Sequence, residues 1–267
     1  MKRSIVTICN EDYAPLLKYW STAVQRVTDL PIFVLCLNGF TPSENENLRF
    51  IQVNPRGNPF PKNLPDHACA EKMRLFEHLP HEIAQILFLD LDVLVINSFW
   101  DDGHFFGMSR YQLVMCPDLF VGYKEKIEAE FQPYDSSFQM KFNPDGSYFY
   151  FNTGVFFASR QAHESWFHQF LNTWSDYVAK QSMYPSIFDQ NVFNYCLIRY
   201  GLSVHQMSVL NNCLRQYEKQ MVKDGRILLN GQTINAYHFN GGNSAKKLER
   251  WQKMLSQMGG THDNSQS

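Results

Sequence analysis

The chain has 267 residues, with 24 Lys and Arg against 26 Asp and Glu, for a formal charge of −2. Hydrophobic residues make up 44% and charged residues 19%, which excludes a disordered chain, and the near-neutral balance argues against a nucleic-acid binder. A chain of this length buries about three quarters of the surface its unfolded form exposes, enough for one large α/β domain.

Ser4–Cys9 is a short apolar run suited to a buried parallel strand. The basic start Met1-Lys2-Arg3 invites a leader-peptide reading, but Asn10-Glu11-Asp12 breaks the apolar run too early for one. Asp12 is expected to cap a helix with Pro15 in its first turn and an apolar stripe through Leu16, Leu17, Trp20, Ala23 and Val24. Ile32–Leu37 and Phe50–Val53 read as further strands, followed by a Pro/Gly-rich loop over Asn54–Pro65. Ala68–Leu79 reads as a helix ending before Pro80, and Ile86–Leu89 as a strand. This order predicts an α/β fold: a Rossmann-like, mostly parallel central sheet flanked by helices, with ligands beyond the carboxyl ends of the strands.

Tyr123–Tyr148 has no clear period and reads as an insertion with little regular structure. Phe149–Ala158 returns to strand, and Ser159 caps a long helix through Lys180. Another helix runs from Asp189 to Tyr200, before Gly201. A single domain over 1–256 with a polar, disordered tail over 257–267 is expected. The six cysteines form no C-x-x-C pair and read as buried thiols. No apolar run is long enough for a transmembrane segment and no N-x-[ST] sequon occurs, so a soluble, cytoplasmic protein is the expectation.

The strongest chemical signal is Ile86-Leu-Phe-Leu-Asp90-Leu-Asp92-Val-Leu-Val-Ile96. Both faces of this segment are apolar, yet two carboxylates interrupt it on one face. Unpaired carboxylates buried together are costly, and a hard divalent cation such as Mn²⁺ or Mg²⁺ relieves that cost. The contrary reading ends the strand at Leu89 and leaves both Asp in a solvated turn.

After this D-x-D come Met115-Cys-Pro-Asp118, Phe151-Asn152-Thr153-Gly154, Asp189-Gln190 and His238-Phe239-Asn240-Gly241. In this order and spacing the chain, over residues 4–247, resembles glycosyltransferase family 8, which includes glycogenin and bacterial lipopolysaccharide galactosyl- and glucosyltransferases. The resemblance implies a GT-A fold, a divalent metal, Mn²⁺ rather than Mg²⁺ beside an imidazole, and a nucleotide-sugar donor, most often a UDP-sugar. It further implies hexose transfer to a hydroxyl of a saccharide, lipid-linked or protein acceptor, with retention of anomeric configuration.

Carried over, Asp90, Asp92 and His238 hold the metal, and Asp90 also meets the donor ribose. Thr7, Asn10 and Tyr13 contact the base and ribose, although Asn10 and Tyr13 equally suit the start of the first helix. Lys72 meets donor phosphate or sugar, Asn152 the donor sugar, and Gly241 belongs to the diphosphate loop. Asp189 and Gln190 lie near the anomeric carbon, and Asp118 with the insertion shapes the acceptor site. The family's diphosphate lysine is replaced by Ser244, so Lys246 or Lys247 is expected to reach the same phosphate. That departure keeps open an alternative, a sugar-nucleotide-binding regulatory protein without transfer.

Overall fold

The computed structural model describes residues 2–42, 47–53, 71–101, 103–110, 112–119, 122–181, 188–217 and 220–257, with 122–126 and 188 as backbone only. The strands are β1 (Lys2–Cys9), β2 (Ile32–Leu37), β3 (Leu48–Val53), β4 (Ile83–Leu89), β5 (Val93–Val95), β6 (Leu113–Pro117) and β7 (Phe151–Ser159). They continue with β8 (Val204–Gln206), β9 (Cys213–Leu214), β10 (Gln220–Lys223), β11 (Arg226–Leu229), β12 (Gln232–Thr233) and β13 (Ala236–His238).

The central sheet has the order β3-β2-β1-β4-β7-β6-β8. Pairing is parallel from β3 to β4 and between β6 and β8, and β7 runs against both its neighbours. The expected mostly parallel α/β sheet is therefore present. Its strands read as continuous apolar runs because both faces are covered. On one face Val6, Ile8, Phe88 and Phe156 pack under Phe170, Trp174, Phe193 and Leu197. On the other, Ile5, Leu87, Leu89 and Phe157 share a core with Leu16, Trp20 and Trp251.

Several boundaries differ from the sequence reading, each for a local reason. Asn10, not Asp12, caps the first turn: its Oδ1 accepts from Tyr13 N–H at 3.2 Å, while Asp12 is exposed within the 3₁₀ turn Glu11–Tyr13. The helix Ala14–Gln25 follows, with Pro15 in its first turn. In the described part of Ala68–Leu79, Glu71 is helical, residues 72–74 form a turn and bend, and a short helix follows over Leu75–His78. The Arg160 guanidinium takes the carbonyls of Phe76, Leu79, Pro80 and Ile83, which fixes the exit of that segment into β4.

The insertion contains a helix, Gly122–Phe131, which the sequence reading missed because its stripe, Tyr123, Ile127 and Phe131, is one residue per turn among charged neighbours. Phe131 stacks on Tyr195 with centroids 4.5 Å apart, pinning the irregular remainder against the helix Phe188–Arg199. Ser159 does cap its helix, accepting from Ala162 N–H at 3.1 Å. That helix passes through a π-helical stretch, His163–Phe167, before continuing over His168–Gln181. Gly201, with φ of 64°, closes the next helix as expected. The loop Asn54–Pro65, Cys69 and the tail beyond residue 257 lie outside the described residues. The other five cysteines are free and buried.

Candidate metal and donor site

β4 stops at Leu89, so Asp90 and Asp92 do not lie on a strand. Asp90 N–H donates to Gly154 O at 2.8 Å, and Val93 N–H returns to Asp90 O at 3.0 Å, closing a tight turn. The turn is only partly solvated, against the contrary sequence reading for one residue and not the other: Asp92 is 4% exposed, whereas the Asp90 side chain is 26% exposed. Chain reversal and burial coexist because β7 and a second sheet, β5-β13-β9, close around the turn.

That small sheet brings the distant histidine in. β13 pairs antiparallel with β5, setting His238 opposite Val93, and Phe239 N–H donates to Asp92 O at 2.9 Å. His238 Nε2 lies 3.2 Å from Asp92 Oδ1. One ligand atom each from Asp90, Asp92 and His238 falls within 4.8 Å of the others, close enough together that the three could hold one metal ion.

Two buried ammonium groups flank these carboxylates. Lys72 Nζ lies 2.9 Å from Asp90 Oδ1 and 3.0 Å from Asp189 Oδ2, joining two of the predicted residues. Burial pushes the Asp90 carboxyl above its usual range, Lys72 opposes this, and the Asp92 and Asp189 charges reinforce it. Lys247 Nζ lies 2.6 Å from Asp92 Oδ2 and donates to Tyr13 OH at 3.1 Å. Burial alone would raise the Asp92 carboxyl, but the charges of His238 and Lys247 outweigh it and hold Asp92 well below the ordinary range.

The F-N-T-G segment acts through its backbone and its amide. A Cβ on Gly154 would lie 2.3 Å from His238 Cε1, so only glycine admits the imidazole there. Asn152 Oδ1 accepts from Gly154 N–H and Asn212 Nδ2, each at 2.8 Å, and its Nδ2 donates to Gln190 Oε1 at 2.8 Å. This amide, expected to meet the donor sugar, is thus largely engaged with the protein. Gln190 Nε2 donates in turn to Asp118 Oδ2 at 3.0 Å and Tyr150 OH at 3.1 Å. Thr153 Oγ1 donates to Asp189 Oδ2 at 2.6 Å.

Asn10 and Tyr13 stand at the end of β1, with Tyr13 under the Lys247 ammonium, 5.0 Å from its ring centroid. Thr7 lies deeper in β1, fully buried, and its hydroxyl has no hydrogen-bond partner among the described residues. Gly241, at φ of 76°, turns the chain after β13, and its carbonyl accepts from Arg250 Nη1 at 2.7 Å. Lys246 does not join the site. The helix Ser244–Gln257 leaves it exposed and turns Lys247 inward, because Lys247 shares a face with Trp251, which stacks on Phe239 at 5.5 Å. That i, i+4 relation to a tryptophan was available in the sequence. Asn212 and Tyr150 were missed, since nothing local marks them.

No family model matches the chain, and no curated protein does. Solved structures do. The galactosyltransferase LgtC in complex with donor and acceptor sugar analogs aligns over 95% of both chains with a TM-score of 0.61 and 21% identity. Mouse xyloside xylosyltransferase 1 aligns over 90% of this chain and 98% of its own, with a TM-score of 0.60 and 13% identity. The bifunctional glycosyltransferase WbbM matches 98% of this chain with half of its own length, at a TM-score of 0.56 and 12% identity. LgtC and the xylosyltransferase are family 8 glycosyltransferases, and the fold of this chain is the GT-A fold they share.

Proposed function

We propose that this protein is a metal-dependent, retaining glycosyltransferase of the family 8 type. It would move a hexose from a nucleoside-diphosphate sugar, with UDP-sugars the first donors to test, to a hydroxyl of a saccharide, lipid-linked or protein acceptor. The observation that supports this best is the meeting of Asp90, Asp92 and His238 from two distant segments at the carboxyl end of the central sheet. The donor and acceptor analogs held by LgtC, on the same fold, agree with it.

The donor set suits the ion. Two hard carboxylates accept Mn²⁺ or Mg²⁺, and the borderline imidazole favours Mn²⁺. Asp92 already draws an ammonium to 2.6 Å, so the pocket is built for positive charge. Held by Asp90, Asp92 and His238, the ion would supply Lewis acidity toward the diphosphate as it departs. Tyr13 offers a ring to the base, Asn10 and Thr7 polar atoms to the nucleoside, and the Gly241 turn a close backbone approach. Lys247 takes the diphosphate role that the sequence left open between it and Lys246. Asp189 and Gln190 face the sugar with Asn152. Asp189 Oδ2 is engaged by an ammonium and a hydroxyl, which blunts it as a nucleophile and favours attack on the leaving-group face, with a diphosphate oxygen taking the acceptor proton.

The test is UDP release from UDP-glucose and UDP-galactose with Mn²⁺. Release that is abolished by chelation and by Asp92→Asn or His238→Ala supports the reading. Donor binding in a thermal-shift panel without release from any sugar would instead identify a sugar-nucleotide-binding protein.

A further inference from the structure

The buried amides beside His238 form a chain whose direction is fixed at both ends. Gly154 N–H can only donate, and it points at Asn152 Oδ1 at 2.8 Å. The atom of Asn212 that lies 2.8 Å from the same oxygen is therefore its amide nitrogen. Asn212 Oδ1 then faces His238 Nδ1 at 3.1 Å, and an acceptor in that position requires the proton on Nδ1. At the far end, Asn152 Nδ2 meets Gln190 Oε1, which turns Gln190 Nε2 toward the Asp118 carboxylate.

Asn152, Gln190 and His238 are all less than a tenth exposed, and Asn212 is fully buried. Flipping any one amide would set two donors or two acceptors against each other without water to relieve them. The register Tyr237↔Cys213 between β13 and β9 holds Asn212 beside the ring, and Gly154 packs on its edge.

We propose that Asn212 is the positioning residue of the metal centre. By accepting from Nδ1–H it fixes the ring so that the other nitrogen of His238, Nε2, is the one directed at Asp92 and the one available as a ligand when a cation takes the place of that contact. This rests on the reading of Asp90, Asp92 and His238 as metal ligands. Partners of this kind orient a histidine and raise its basicity, and removing one weakens metal binding.

The experiment is calorimetric titration of the full chain with Mn²⁺, for wild type, Asn212→Ala and Asn212→Asp, with a metal-free thermal melt of each. Asn212→Ala is expected to bind Mn²⁺ about 10- to 100-fold more weakly. Asn212→Asp keeps an acceptor for Nδ1–H and is expected within about threefold of wild type. Its melting temperature falls all the same, because its second oxygen faces Asn152 Oδ1. Equal affinity for Asn212→Ala and wild type, or equal weakening of both variants, overturns the assignment. Failure of wild type to bind Mn²⁺ overturns the metal reading itself. Should Asn212→Ala not fold, the imidazole ¹⁵N spectrum of Mg²⁺-loaded wild type decides: a proton on Nδ1 of His238 supports the proposal, and a proton on Nε2 refutes it.

Discussion

The ammonium of Lys247 stands 2.6 Å from Asp92 Oδ2, with the two side chains only 9% and 6% exposed. Burial by itself would lower the Lys247 pKa, yet the facing carboxylate more than reverses this, so the pair stays charged. A lysine held charged beside the candidate metal ligands is suited to a departing diphosphate. Lys247→Ala is expected to reduce UDP release roughly 10²- to 10³-fold, the scale of losing one preorganised donor to a developing charge. Lys246→Ala, whose side chain is exposed, should lose much less; a larger loss at 246 would reverse the assignment.

Gly154 answers to His238 as a matter of space. A methyl at 154 would run into the His238 imidazole and would lie 3.0 Å from Asn152 Oδ1. Gly154→Ala is expected to destabilise the fold by about 1–3 kcal/mol, as overpacking does, and to weaken Mn²⁺ binding because the ring must move. Calorimetry and urea unfolding of the same variant check both; wild-type metal affinity in a destabilised variant would show that the ring need not shift.

Trp251 anchors the helix that delivers Lys247. It is fully buried, stacked on Phe239 and 6.4 Å from Tyr19 by ring centroids. Trp251→Ala should cost about 3–5 kcal/mol of stability. Donor turnover should fall with it even under conditions where the variant remains folded. Unchanged turnover in the folded variant would separate the helix from the site.

His163 supplies a pH dependence of stability. Buried between Phe76 and Phe167, its imidazole has a pKa pushed down by desolvation from 6.5 to about 4. Between those values the unfolded chain binds a proton that the folded chain does not, so stability falls as pH drops from 6.5 to about 4 and then levels. The loss assigned to this residue is on the order of 3 kcal/mol. Urea unfolding across that range should show a shallower slope for His163→Phe than for wild type; equal slopes would place the dependence elsewhere.

How legible was the site? The Asp pair stood out because carboxylates are rare among aliphatics, and that contrast survives whether the segment is strand or turn. Its conformation did not: a run apolar on both faces looks the same whether it continues past Leu89 or reverses there. The reversal depends on Gly154 offering its carbonyl to Asp90 N–H, a contact between β4 and β7. Lys72 lay in an ambiguous helix pattern, and only its enclosure between Asp90 and Asp189 distinguishes it from a surface lysine. The helix Gly122–Phe131 escaped notice because a stripe of one apolar residue per turn is thin among so many charges.

From the sequence alone came the strands of the parallel sheet, the Ser159 cap, the Gly201 stop and the acidic pair at the sheet's carboxyl edge. All of these follow from side-chain period, backbone preference and the cost of burying charge, which act over a few residues. Tertiary structure alone decided that His238 meets Asp92, that the Lys247 ammonium reaches the same carboxylate, and that Asn212 orients the imidazole. Those outcomes depend on the register of β13 between β5 and β9 and on the docking of Trp251 against Phe239. Such pairings join segments far apart in the chain, and no local pattern encodes their separation in space.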